Sequence, residues 1–96
     1  MVVYGKDKID SFICKHAKSR KPLERWLMIM KMCQARHPQE LRKTFGDADP
    51  VPPHTVFDVG GNKFRVITKI DYSEQTVLVK HVLTHADYDL EKWKEK

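Results

Sequence analysis

Apolar positions in the first third of the chain recur at helical spacing. Ile9, Phe12, Ile13, His16 and Ala17 follow an i, i+3, i+4 rhythm, with Asp7 or Asp10 placed to cap the helix they define. The break "SRKP" sets Ser19 shortly before Pro22, a start signal for a second helix. Beyond it Leu23, Trp26, Leu27, Met30 and Cys33 form one stripe, and Lys21, Arg25, Lys31 and Arg36 lie beside or opposite it. Met28, Met30 and Met32 all read as helix packing. Two amphipathic helices joined by so short a break predict an α-helical hairpin. His37-Pro38 closes the second helix on this reading, and "PQELRKTF" adds one or two turns with Leu41 and Phe45 inward.

The period then changes. "GDADPVPP", residues 46–53, is read as a loop, because its prolines and glycine cannot propagate a helix. Strand signals follow in "TVFDV", in "NKFRVITKI" after Gly60-Gly61, and in "TVLVKHVL" after the turn "DYSEQ". They predict a three-strand antiparallel meander, with "VVY" at residues 2–4 as a further short strand. Phe64, Val66, Thr68 and Ile70 should face the helices. Lys63, Arg65, Ile67 and Lys69 then point the other way, presenting three cations on an open side. Thr84 caps a last short helix, with Asp87 three residues on. The expected architecture is α+β: a small antiparallel sheet packed on an N-terminal α-helical hairpin, with a short C-terminal helix.

Length, charge and cysteines narrow the function classes. Ninety-six residues predict a single domain spanning 1–96, too small for a deep multi-substrate active site. The opening apolar stretch is too short for a signal peptide or membrane span, so no membrane partner is expected. Cys14 and Cys33 form no CxxC pair and read as reduced thiols on helices of a cytoplasmic protein. The net charge of +5 is uneven: residues 1–45 carry eleven Lys or Arg against four Asp or Glu, the remainder seven against nine. A basic half suggests a polyanionic partner, nucleic acid first, although a solvated lysine-rich face or an acidic protein partner would fit the same charge.

Chemistry concentrates near the end. His85 and Tyr88 lie three apart on one side of the last helix's first turn, joining a group that titrates near neutrality to a hydroxyl. If that turn abuts the open sheet face, Arg65 can meet them at one phosphate. His81 and His85 are four apart, yet no Cys or third ligand is near, and no metal site is expected.

"VFDVGGNKFRVITKIDY" followed by "VLVKHVLTHADYD" resembles the HigB family of toxins, a branch of the RelE-like ribosome-dependent mRNA endoribonucleases. The specific part is GGN, an arginine three residues beyond its asparagine, and THxxYD about two dozen residues later; the likeness thins toward the N-terminus. This resemblance implies a RelE-like fold and a cleft that accepts mRNA on the ribosome. It also implies a HigA-type antitoxin, with operator DNA touched only through that partner. Cleavage is implied to need no cofactor or metal: the 2′-hydroxyl attacks the adjacent phosphorus. The carried-over catalytic residues are Arg65, His85 and Tyr88. Asn62, Lys63, Lys69 and His54 follow as RNA contacts. Asn62 reads equally well as a turn residue bonding its own backbone, and Asp58 stands where the family often has asparagine, which leaves its role open. The reading from another class is a non-catalytic RNA- or protein-binding module of the same fold. Trp26 and Trp93 read as packing anchors, Trp93 also as a base-stacking candidate.

Overall fold

The amphipathic stripes form the expected helices, α1 (Lys6–Lys15), α2 (Arg20–Met32) and α3 (Pro38–Thr44), in a computed structural model that describes residues 1–61 and 63–90. The stripe of α2 is inside throughout: Leu23, Trp26, Leu27, Met30 and, just past the helix, Cys33 are all buried. Met28 and Met32 are not, at 65% and 79% exposed, so only one of the three methionines packs the core. The start of α1 also differs from expectation. Gly5, in the left-handed region at φ +84°, precedes it without a side-chain cap, and Asp7 sits in the first turn. Glycine is required there because a Cβ at that position would lie 2.6 Å from the carbonyl oxygen of Val79.

A single 3-10 turn, Ala17–Ser19, links α1 to α2, and the Ser19 hydroxyl donates back to the His16 carbonyl and caps nothing. At the other end α2 stops at Met32, five residues before His37. Cys33 turns to extended geometry, and Cys33 and Ala35 are buried alternately, a strand-like rhythm. The Gln75 amide donates to the Ala35 carbonyl and holds this segment down. His37 then caps α3 through its ring nitrogen, which accepts from the Glu40 amide, with Pro38 in the first turn.

The sheet has five strands, not the expected three plus a separate short one. β1 (Val2–Tyr4), β2 (Asp49–Val51), β3 (His54–Val59), β4 (Phe64–Asp71) and β5 (Thr76–Thr84) lie in the order β1-β5-β4-β3-β2. All neighbours are antiparallel except β1 and β5. β2 lies inside the segment read as a loop. Its Pro50 is tolerated because β2 is an edge strand, where a missing N–H can face away from the ladder. Phe64 and Val66 face the helices together with Phe57, Val59, Val77 and Val79, as the alternation predicts.

Val79 and Val82 pack toward the same core although they are three apart. A bulge allows this: Ile67 pairs with His81 and Thr68 with Val79, leaving Lys80 as the extra residue. The face away from the helices differs from its expected open, cationic character. Ile67 is fully buried there in a second small cluster with Val56, covered by Val51, Leu83 and Tyr88. The short helix α4 (His85–Asp89), capped by the Thr84 hydroxyl accepting from the Asp87 amide, supplies that Tyr88.

Candidate active site

Arg65 projects from the middle of the sheet onto the face opposite α2, where only 8% of it is exposed. A bare guanidinium at that depth would be strongly unfavourable. Asp58 lies directly across the β3–β4 ladder, and its Oδ1 accepts from Arg65 Nε at 2.8 Å. Nη1 donates to the Phe64 carbonyl at 3.3 Å. The ring of Tyr88 covers the other side, with its centroid 5.3 Å from the guanidinium carbon. Arginine, carboxylate and phenol thus form one cluster, the carboxylate at the guanidinium's edge through strand register and the ring over its face through the capped α4 turn.

His85 enters the same region along the backbone. Thr84 pairs with Phe64 at the end of the β4–β5 ladder, and the His85 amide donates to the Lys63 carbonyl at 3.0 Å. Its imidazole is just over half exposed and lies 3.4 Å from Asp89 across one helical turn. The structure therefore brings together Arg65, Tyr88, His85 and Lys63 at one end of the sheet. Asn62 and Trp93 lie outside the described residues.

His54 and Lys69 fall elsewhere. Arg65 and Lys69 are four strand residues apart, about 13 Å at the usual rise, with the apolar Val56–Ile67 layer between the two ends. Burial, then the ammonium groups of Lys69 and Lys80, hold the His54 imidazole below its ordinary pKa. Lys80 joins His54 and Lys69 by virtue of the bulge, which no periodicity in the sequence announces. Asp58 is the functional candidate that sequence reasoning left open. Its signal was present in retrospect, since a carboxylate on the strand before the GGN turn falls opposite an arginine on the strand after it.

His16, expected near the core, is half-buried at the end of α1 and stacks on Phe12 at 4.3 Å. Cys14 is exposed and Cys33 buried, both as free thiols. Among the described residues no three His, Cys, Asp or Glu side chains converge to hold a metal, and no helix is long and apolar enough to cross a membrane.

The family model of the HigB toxins, the RelE-like toxic component of a toxin–antitoxin system, matches residues 19–91. This chain belongs to the HigB toxin family. Its partner, in general terms, is therefore an antitoxin. A protein of Escherichia coli O6:H1 named mRNA interferase HigB is 29% identical over 92 residues, covering 93% of this chain and 89% of that protein. The mRNA interferase toxin HigB of Escherichia coli K12 is 33% identical over 57 residues, 56% of this chain and 55% of its own length. The Shigella flexneri mRNA interferase HigB matches to the same extent. The α+β sheet with N-terminal helices and a short C-terminal helix agrees with the RelE-like fold.

Proposed function

We propose that this protein is an mRNA endoribonuclease that cuts message on the ribosome, in the cytoplasm, and is neutralised by a HigA-type antitoxin. One observation carries the reading: the strand arginine and the tyrosine of the terminal helix, 65 and 88, are in contact in a HigB-family chain whose relatives are named mRNA interferases.

The reaction needs little besides these groups. The substrate's 2′-hydroxyl loses its proton and attacks the adjacent phosphorus. The bond from phosphorus to the 5′-oxygen breaks, and that oxygen takes up a proton. The products are a 2′,3′-cyclic phosphate and a 5′-hydroxyl end. Arg65 binds the non-bridging oxygens as their charge grows, already oriented by Asp58. His85 and Tyr88, three apart on one side of the α4 turn, exchange the two protons. A phosphate reaching Arg65 displaces the Tyr88 ring from its face, so the phenol moves toward the substrate as the guanidinium is uncovered. Lys63 contributes a cation at the same end, while His54 and Lys69, about 13 Å along the strand, contact more distant phosphates. Unpaired bases of the message supply recognition, and the basic helices bind ribosomal RNA in a salt-dependent way.

A second reading, a non-catalytic binding module, is favoured by the burial of Arg65, which alone would suit a purely structural ion pair. Induction of the parent, Arg65→Ala and His85→Ala, with primer-extension mapping of cellular mRNA and scoring of 5′-hydroxyl ends, separates the two. The catalytic reading expects new 5′-hydroxyl ends from the parent and a rate lower by about 10²–10³ for Arg65→Ala. Equal toxicity and identical ends in all three would refute it.

A further inference from the structure

β1 ends in an exposed tyrosine that the proposed reaction leaves unused. Val3 packs into the core, so Val2 and Tyr4 point to the opposite side of the sheet, at 55% and 56% exposed. Tyr4 pairs with Leu78 across the parallel ladder, and Leu78, between the buried Val77 and Val79, is itself 40% exposed. Arg65 and Lys69 project from β4 on this same side, away from the helices. By strand rise and strand spacing, Tyr4 lies about 16 Å from Arg65, four residues along the sheet and two strands across.

This apolar corner shares its row of the sheet with basic groups. Leu78 pairs on its other side with Lys69, and His54 follows on β3, one step beyond the Thr55–Thr68 pair. Lys80, the extra residue of the bulge, is close enough to act on the same imidazole. The carboxylate that comes next on β4, Asp71, is drawn into its own turn, where it accepts from the Ser73 hydroxyl at 2.7 Å and the Glu74 amide at 3.1 Å. The chemistry of the row selects its ligand. A protein covering Tyr4 and Leu78 would also cover the lysines beside them, which is unfavourable unless it brings matching carboxylates. A duplex hides its bases from an aromatic ring. A single strand offers a bare base to the ring and phosphates to the lysines, the combination by which sheet surfaces bind unpaired RNA.

We propose that Tyr4, backed by Leu78, is a stacking platform for one unpaired base of the message, outside the two nucleotides that flank the cut, with a neighbouring phosphate on Lys69 and Lys80. The assignment rests on the proposed nuclease activity. It adds an affinity determinant remote from the chemistry and indifferent to base identity, since every base has a π face.

The test compares the parent with Tyr4→Ala, Tyr4→Leu and Tyr4→Phe on ribosome-bound mRNA and, in parallel, on free single-stranded RNA, each carrying one abasic nucleotide at successive positions around the cut. Circular dichroism checks the fold of each variant. Tyr4→Ala and Tyr4→Leu are expected to raise KM about tenfold, within the range of a base–aromatic stack, with kcat within about twofold. Tyr4→Phe keeps the ring and should stay within about twofold of the parent in both. The dependence of log KM on log salt should not change, because no charge is lost, which separates this effect from loss of a lysine–phosphate contact. In the parent, one abasic position outside the flanking pair should raise KM by the same factor, and in Tyr4→Ala that position should have no further effect. A Tyr4→Ala variant that responds to every abasic position as the parent does would overturn the platform, even with a raised KM. Unchanged KM in Tyr4→Ala beside an active parent would overturn it too and leave the nuclease reading intact. A parent that cuts neither substrate would refute the nuclease reading, and the platform with it. Unchanged kinetics combined with failure of a co-expressed antitoxin to protect cells from Tyr4→Ala would make this corner a protein-docking surface, against the proposal.

Discussion

Removing the carboxylate beneath Arg65 is the sharpest test of how the site is held. In Asp58→Ala the guanidinium loses its 2.8 Å partner while its side chain remains 10% exposed. Breaking a fully buried pair costs about 3–5 kcal/mol, and an exposed pair contributes about 0–1 kcal/mol. Asp58 is 31% exposed, so solvent reaches one partner and the expected loss falls between these limits, about 2 kcal/mol. For a chain of this length that corresponds to a Tm lower by roughly 8–16 °C. Asp58→Asn keeps an oxygen for the Nε–H but removes the charge, and should cost about half as much. Arg65→Met should cost less than Asp58→Ala. It keeps an apolar stem under Tyr88 and leaves behind a carboxylate that water already touches. Urea unfolding followed by circular dichroism at 0.05 and 0.5 M salt measures all three. A loss below about 0.5 kcal/mol for Asp58→Ala, the ordinary range for surface substitutions, would refute the reasoning. So would a loss that disappears in high salt, because a pair shielded from water is only weakly screened.

Three further outcomes follow from the geometry. Gly5→Ala should destabilise by about 2 kcal/mol or more in thermal unfolding, combining a left-handed backbone with a contact 2.6 Å from the Val79 carbonyl. Met30→Ala, at a fully buried position, should cost about 2–5 kcal/mol, whereas Met28→Ala, 65% exposed, should stay within about 0.5 kcal/mol in the same urea titration. His54 binds its proton less readily in the folded than in the unfolded chain. The unfolded chain therefore takes up more protons as pH falls through the window between the depressed folded value and 6.5, and stability should rise with pH across it. In His54→Gln this portion of the pH–stability curve should be flat, and an unchanged curve would show that His54 is not its source.

The helices, the strand identities and the capped last turn were legible because each rests on local rules. The stripe from Leu23 to Cys33 has helical period, "NKFRVITKI" alternates, and Thr84 precedes a helix start. Loop-like residues concealed the edge strand Asp49–Val51, since proline argues against a strand only where both its edges are used. The end of α2 is hidden for a related reason: Cys33 and Ala35 leave the helix to fill sites created by other parts of the chain, including Gln75 forty residues away from Ala35.

The candidate site divides along the same line. The sequence alone placed Arg65 on a central strand and His85 with Tyr88 on one helical turn, since strand alternation and helix spacing act over a few residues. Only the tertiary structure decided that Arg65 is buried, that Asp58 holds it, that Tyr88 covers it and that His54 and Lys69 stand apart with Lys80. Those outcomes depend on strand register, on a bulge that displaces one residue, and on what the terminal helix packs against. Each is set by contacts between segments far apart in the chain, and burial of a charge is settled only when its partner arrives.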